Sequence, residues 1–270
     1  MGLTAKDFEE LVQLKEQASM KIETLGQFLL TRDGTSVKQK EWGRDRTLQL
    51  FQFLLTSRNR RALHKEQIAD RIWEDVAGKS LDQTLKVAVF GINKVLEPNR
   101  EKRTDPKFLL RQGSTYRLDL SSLFLDVDAF EKFVEIGNQN LDTDLKLSIN
   151  SYQEALALYN GVFLPSRMYD DWTSSERERL QLMALNTMVD LSEVLIDSNP
   201  AESIRLCQQA LQIDDTWEEA YRIQMQSYFT KGNRPMALKT YQQCEEILEK
   251  KFGIEPLPET KAVLKKIKEK

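Results

Sequence analysis

Between residues 80 and 98 the apolar positions Leu81, Leu85, Ala88, Val89, Ile92 and Leu96 recur at steps of three and four, the stripe of a helix laid on a core. The opposite face carries Gln83, Lys86, Phe90 and Lys94. Pro98 ends the segment, because proline cannot continue a helix and pushes the residue before it out of helical geometry. Downstream, FLLRQGSTYRLDL sets two β-prone runs around Gly113-Ser114, a hairpin pattern, and Arg100, Lys102, Arg103 and Lys107 fill the gap between helix and hairpin. Upstream, residues 5–18 predict a short helix with Phe8, Leu11, Val12 and Leu14 on one side, either a linker from a preceding domain or a cap on the first sheet. Residues 21–30 alternate as a strand, an Asp33-Gly34 turn follows, and a second strand is predicted over 35–38. Trp42 precedes a helix over 45–57 whose Leu48, Leu50, Phe51, Leu54 and Leu55 make a dense apolar face; an exposed basic run, Arg58, Arg60 and Arg61, follows it. A second helix over 65–74 turns Ile68, Ile72 and Trp73 inward.

Small sheet, three helices and hairpin, in that order, describe a winged helix-turn-helix, whose last helix enters the major groove of DNA while wing and linker touch phosphates. From residue 122 onward the strand signals end and every segment has a period near 3.6, predicting helices at 128–139, 143–159, 172–197, 200–212, 217–230, 234–251 and 258–268. EALALYNGVFLP, ESIRLCQQALQI and MALKTYQQCEEI superpose Ala155, Ser203 and Ala237, each followed four residues later by Tyr159, Cys207 and Tyr241, at separations of 48 and 34. The second separation is the tetratricopeptide period, in which a small residue lets paired helices approach. The expected fold is therefore an α+β N-terminal winged helix-turn-helix followed by an all-α tetratricopeptide-like helical repeat domain. Residues 1–20 form a helix or linker, 21–120 the DNA-binding domain and 121–270 the repeat domain.

With 270 residues, 40% apolar and 30% charged, the chain has material for two cores. The net charge of −3 divides unevenly: residues 21–120 hold 20 Lys and Arg against 13 Asp and Glu, and residues 121–270 hold 17 against 25. A basic first half permits nucleic-acid binding. The chain has no run of 18 apolar residues and its first residues are acidic and amphipathic, so a cytoplasmic location is expected. Cys207 and Cys244 lie in separate helical patterns without CxxC spacing, so no disulfide, metal or other cofactor is expected. Neither GxSxG, HExxH, GxxxxGK[ST] nor GxGxxG occurs, which leaves an enzyme without its usual parts. His64, the only histidine, reads as a surface or capping residue, Asp170-Asp171 and Asp214-Asp215 as helix caps, and Trp172 and Trp217 as core anchors.

Scattered positions in order and spacing complete the picture: Leu25-Gly26, Asp33-Gly34, Ile72-Trp73, Leu96-Glu97-Pro98, Gly113 and Tyr116-Arg117-Leu118, then Asp128, Phe130, Ala155-Leu156, Tyr159, Gly161, Trp172, Glu176-Arg177, Arg179-Leu180, Ala237-Leu238, Tyr241, Gly253 and Glu255-Pro256. Over residues 22–260 the chain resembles the SARP-type transcriptional activators, which pair an OmpR-like winged helix with a tetratricopeptide-like bacterial transcriptional activator domain. The resemblance implies binding of double-stranded promoter DNA, usually at direct repeats by two protomers, and recruitment of RNA polymerase holoenzyme. The helical domain then serves protomer or polymerase contacts. Carried onto this chain, the DNA-facing residues are Gln83, Lys86, Phe90, Asn93 and Lys94 on the helix, Arg100 in the linker, and Arg111, Thr115 and Arg117 in the wing. The turn holding Glu74, Asp75, Val76 and Lys79 resembles a polymerase-contacting loop, the other reading being a plain connector. One departure stands out: the family's recognition helix usually has an R-L-R pattern where this chain has Gly91-Ile92-Asn93. Loss of two arginines is expected to weaken binding or shift its readout. The alternative function is accordingly a protein-interaction scaffold or ligand-sensing regulator with weak or lost DNA affinity.

Overall fold

The computed structural model describes residues 2–58, 62–73 and 78–269, without the Lys79 side chain. Among them run α1 (Ala5–Gln17), β1 (Met20–Glu23), β2 (Leu29–Arg32), β3 (Thr35–Ser36), α2 (Asp45–Thr56), β4 (Leu63–His64), α3 (Lys65–Ile72), α4 (Gly78–Leu96), β5 (Leu109–Gln112), β6 (Thr115–Leu118) and β7 (Phe124–Leu125). Seven helices follow: α5 (Asp126–Asn140), α6 (Leu145–Leu158), α7 (Ser174–Val194), α8 (Pro200–Ile213), α9 (Glu218–Thr230), α10 (Arg234–Phe252) and α11 (Pro258–Glu269). None of the described helices is long and apolar enough to cross a membrane. Contacts divide the chain into two compact units, one of Glu9–Ala129 with Leu158–Leu180, the other of Met1–Phe8, Phe130–Ala157 and Gln181–Lys270.

The first unit holds two sheets, ordered β3-β2-β1-β7 and β4-β6-β5, with α2, α3 and α4: a winged helix-turn-helix. The run 21–30, expected as one strand, is two. Gly26 at φ +87 turns the chain, and a Cβ there would lie 2.5 Å from the Asn160 carbonyl oxygen, so only glycine fits. Strand β7 pairs parallel with β1 in a region expected to be wholly helical. Residues beyond 158 also join this unit: Gly26 N–H donates to the Val162 carbonyl at 3.0 Å, and Leu164 N–H to that of Thr24 at 2.8 Å.

Two buried polar side chains, Asp126 and Arg58, anchor the unit. The Asp126 carboxylate begins α5 and accepts from the Thr24, Leu25 and Val127 amides at 2.6–2.8 Å and from the Thr24 hydroxyl at 2.7 Å. Burial nevertheless outweighs these donors and pushes its carboxyl up to about 6. Arg58, read from sequence as part of an exposed basic run, is interior. Its side chain is 2% exposed, pairing with Asp128 and, at 2.7 Å, with Glu176. Burial raises the Glu176 carboxyl, and Arg179 and Arg58 together pull it below the ordinary carboxylate range. Arg60 and Arg61, the rest of that run, lie outside the described residues.

The second unit is a helical-repeat array. Asn199 and Asn233, 34 residues apart, cap α8 and α10 by accepting the Glu202 and Met236 amides at 3.3 Å. Where the sequence pattern placed small residues, the helices cross closely. Ser203 is fully buried and its hydroxyl bonds the Ser227 hydroxyl at 2.8 Å and the Ser192 carbonyl at 2.7 Å. Ala237, equally buried, packs with Met225, Tyr241, Val263 and Ile267. Cys207 and Cys244 are buried free thiols, pushed by burial up to about 11 and about 12, which leaves almost no thiolate for chemistry near neutrality.

Helix α4 rests on α2. A Cβ built on Gly91 would meet Thr47 Cγ2 at 2.7 Å and its Oγ1 at 3.1 Å, so the two helices touch backbone to side chain at this point. Gly91→Ala should destabilise by about 1–2 kcal/mol despite alanine's better helix propensity. Adding Thr47→Ala should recover much of that loss in a urea-unfolding double-mutant cycle. Stabilisation by Gly91→Ala alone would refute the close contact. Because the folded Asp126 carboxyl sits near 6 and the unfolded one near 3.9, its protonated form is favoured by folding. Its contribution is full below pH ~4 and is lost as pH rises through ~6. Unfolding measured from pH 4 to 7 should show wild type losing about 2–3 kcal/mol relative to Asp126→Asn across that window; parallel curves would contradict the burial argument.

Candidate nucleic-acid interface

The inner face of α4 buries Leu81, Leu85, Ala88, Ile92 and Leu96 of the predicted stripe, with Val89 half-buried at its margin, and adds Val95, which the stripe did not include. The outer face presents Gln83, Lys86, Val87, Phe90 and Lys94, all exposed, and Phe90 at 68% is exposed far beyond what an ordinary core aromatic shows. Neither Lys86 nor Lys94 is paired with a carboxylate among the described residues. Elsewhere in the unit the pattern differs: Lys65 is matched with Asp82 at 2.7 Å and Arg32 with Glu41 at 2.8 Å. A polar, cationic and aromatic strip on a helix braced from behind has the composition that base edges and phosphates select.

Asn93 is a correction. Expected on the DNA face, it is 6% exposed, and its Oδ1 is buried with no hydrogen-bond partner among the described residues. One residue is about 100° of helix rotation, so a stripe running through Phe90 and Lys94 turns Asn93 toward the core. The same rotation sets Gly91 against Thr47. An arginine could occupy neither position without displacing packed atoms, so the missing R-L-R pattern removes nothing from the outer face of this helix.

The start of α2 adds what the sequence reading missed. Arg44, Asp45, Arg46 and Thr47 line a cavity of about 520 Å³ together with Gln83, Thr84, Val87 and Ala88 of α4. Arg44 is exposed and stands just before the helix, and the Arg46 guanidinium lies 6.0 Å from the Trp73 ring centroid. Cations at a helix N-terminus oppose the macrodipole, whereas an anion there meets unpaired first-turn N–H groups. Asp45 would repel such an anion, but Arg167 neutralises it through a bidentate pair at 2.6 and 3.2 Å. The signal that could have found this site is two arginines flanking the first residue of a predicted helix.

In the wing, Gly113 at φ +60 makes the turn between β5 and β6. Register pairs Arg111 with Tyr116 and Leu110 with Arg117, so the two arginines project from opposite faces of the hairpin. Arg111 is partly committed, its Nε donating to the Gly113 carbonyl at 2.9 Å and its guanidinium lying over the Tyr116 ring at 5.7 Å. Thr115 is half-buried and donates its hydroxyl hydrogen to the Gln112 carbonyl at 2.8 Å. Arg117 is exposed. Arg100 is half-buried, with one guanidinium nitrogen buried and without a partner among the described residues, while Lys102, Arg103 and Lys107 around it are exposed. Glu74, Asp75 and Val76 lie outside the described residues, as does the Lys79 side chain at the start of α4.

Candidate chemistry elsewhere resolves into structure. His64 precedes α3, and its Nδ1 accepts the Glu66 amide as an N-cap. Trp172 stands edge-on to Phe53 at 5.6 Å. Among the described residues no cluster of three or more His, Cys, Asp or Glu could hold a metal ion.

Comparison with curated proteins returns no match. Among solved structures, Mycobacterium tuberculosis EmbR, in complex with a low affinity phosphopeptide, superposes with a TM-score of 0.80 at 18% identity, over 94% of this chain and 66% of that one. The likeness is one of fold, and the chain spans about two thirds of the length of its counterpart. The family described as bacterial transcriptional activator domain matches residues 125–268, more than half of the chain. The protein belongs to the bacterial transcriptional activator domain family and is a transcription regulator of the SARP type rather than an enzyme.

Proposed function

We propose that this regulator is a cytoplasmic activator that binds double-stranded promoter DNA through α4 and recruits RNA polymerase holoenzyme, two protomers occupying successive repeats. The observation that carries the reading is the exposed stripe Gln83, Lys86, Phe90 and Lys94 on a helix of 19 residues whose back is buried. The Gln83 carboxamide suits an adenine edge, Phe90 suits a thymine methyl, and Lys86 and Lys94 reach phosphate or guanine. Arg44 and Arg46 at the start of α2 hold one phosphate, and Arg117 in the wing holds another. The turn with Glu74, Asp75, Val76 and Lys79 takes the polymerase, and the repeat unit serves protomer or polymerase contacts. The alternative, a protein-interaction scaffold or ligand-sensing regulator with weak or lost DNA affinity, drew on the missing arginines, and the setting of Gly91 against Thr47 and the burial of Asn93 weigh against that ground.

Selection of genomic fragments on the purified chain supplies the operator, and fluorescence anisotropy on that fragment tests the contacts. Lys86→Ala should weaken binding by about five- to tenfold; an unchanged curve takes α4 out of the interface. Arg117→Ala should weaken all sequences alike and lower the slope of log affinity against log salt by about one, and an intact slope excludes the wing. Replacing Asp75 and Val76 by alanine should abolish activation in a purified transcription assay while leaving operator affinity unchanged. Full activation by that variant would make the turn a plain connector.

A further inference from the structure

Helix α2 is gripped at both ends and in the middle by residues from beyond 158 that belong to the same compact unit. At its start the Arg167 guanidinium takes both Asp45 carboxylate oxygens, at 2.6 and 3.2 Å, and its Nε donates to the Gln52 carboxamide oxygen at 2.8 Å. Further along, Trp172 stands edge-on to Phe53, and past the last turn Glu176 pairs with Arg58 at 2.7 Å. Arg167 is 122 residues along the chain from Asp45, well beyond the boundary at residue 120 that the sequence pattern set for the DNA-binding domain.

Arg167 has little freedom to do anything else. Its side chain is 13% exposed against 66% for Asp45, so it offers almost no surface to a duplex. Gln52, its second partner, is fully buried. The Arg167 carbonyl accepts from the Thr173 hydroxyl and from the Arg177 guanidinium, each at 3.1 Å, which fixes the backbone that carries the side chain. Asp170 is a further carboxylate within reach, 3.7 Å from Nε. The two-point geometry and the shorter distances assign the guanidinium to Asp45.

The consequence lies in what Asp45 would do without it. Asp45 is flanked in sequence by Arg44 and Arg46 and lines with them the cavity bordered by Gln83 and Thr84 of α4. A loose carboxylate at that point either pairs with one of these arginines or faces the phosphates, and like charges brought together across an interface repel. Each outcome removes about one cation from those set against the duplex. A carboxylate with both oxygens already bonded does neither.

We infer that Arg167 is a positioning residue for DNA binding: it holds the Asp45 carboxylate so that Arg44 and Arg46 stay available to a backbone phosphate. The inference rests on the reading of α2 and α4 as the DNA-facing elements. Its test is a double-mutant cycle read by fluorescence anisotropy, with the full chain on its selected operator. Arg167→Ala should weaken binding about fivefold at ~0.15 M salt and lower the slope of log affinity against log salt by about one, the worth of one phosphate contact. In a chain already carrying Asp45→Asn, the same Arg167→Ala change should cost less than about twofold. Arg167→Gln, which keeps an N–H donor for the Gln52 oxygen but no cation for Asp45, repeats the cycle should the alanine variant fail to fold by circular dichroism. A role confined to bracing α2 would leave the loss in place with Asp45→Asn present, since that change restores nothing to Gln52, and this result would overturn the proposal. So would undiminished affinity for Arg167→Ala. If Lys86→Ala still weakens binding, either result leaves the α4 reading standing; if Lys86→Ala is also without effect, that reading falls as well.

Discussion

The approach of α4 to α2 is the constraint on which the interface depends. A glycine at 91 lets the helix backbone come within touching distance of Thr47, and the apolar seam from Leu81 to Leu96 fixes the rotation of α4 about its own axis. Once that rotation is fixed, every other position follows from the helical repeat. Residues 83, 86, 87, 90 and 94 face outward, and 91 and 93 cannot. The arrangement costs a glycine inside a long helix and an Asn93 oxygen buried without a partner among the described residues. Each is individually unfavourable by about 1 kcal/mol or more. Both are offset by packing, the usual source of helix stability in a folded domain.

Electrostatics in the winged-helix unit separate into two populations of cations. Arg58, Arg167, Arg32 and Lys65 are matched with carboxylates at fixed geometry, and they hold the unit together or silence a repelling charge, as Arg167 does for Asp45. Lys86 and Lys94 on the outer face of α4 have no carboxylate partner among the described residues, and Arg44 stands exposed before α2. The net positive charge of the first half therefore mixes structural and available cations. Only the available ones bear on a polyanion, since a neutralised cation releases no counterions from a duplex.

Local periodicity made most of the fold legible in the sequence. The stripe of α4, the Gly113-Ser114 hairpin and the helices of the repeat unit all arise from interactions within a few residues, and the spacing from Ser203 to Ala237 carried the repeat because close crossings demand small side chains. Long-range pairings were not legible. Strand β7 is two residues long and exists because β1 lies beside it, and residues 162–164 pair with 24–26 across about half the chain. For the same reason Arg58 read as a solvated loop cation: its partners Asp128 and Glu176 are 70 and 118 residues away. Of the site, the outer stripe was readable and Asn93 was not, because a stripe drawn at every third or fourth residue tolerates an error of one position, whereas burial does not. Arg44 and Arg46 escaped notice because their meaning depends on lying beside α4.

The central claim is that the outer face of α4 lies against base edges in the bound state. Replacing Phe90 by the photoreactive p-benzoylphenylalanine and irradiating the complex with a selected operator tests it most directly. The account requires adducts that map to bases within the operator and vanish with scrambled DNA. Absence of adducts from position 90, with the same probe at Gln243 in the repeat unit crosslinking the duplex, would contradict it.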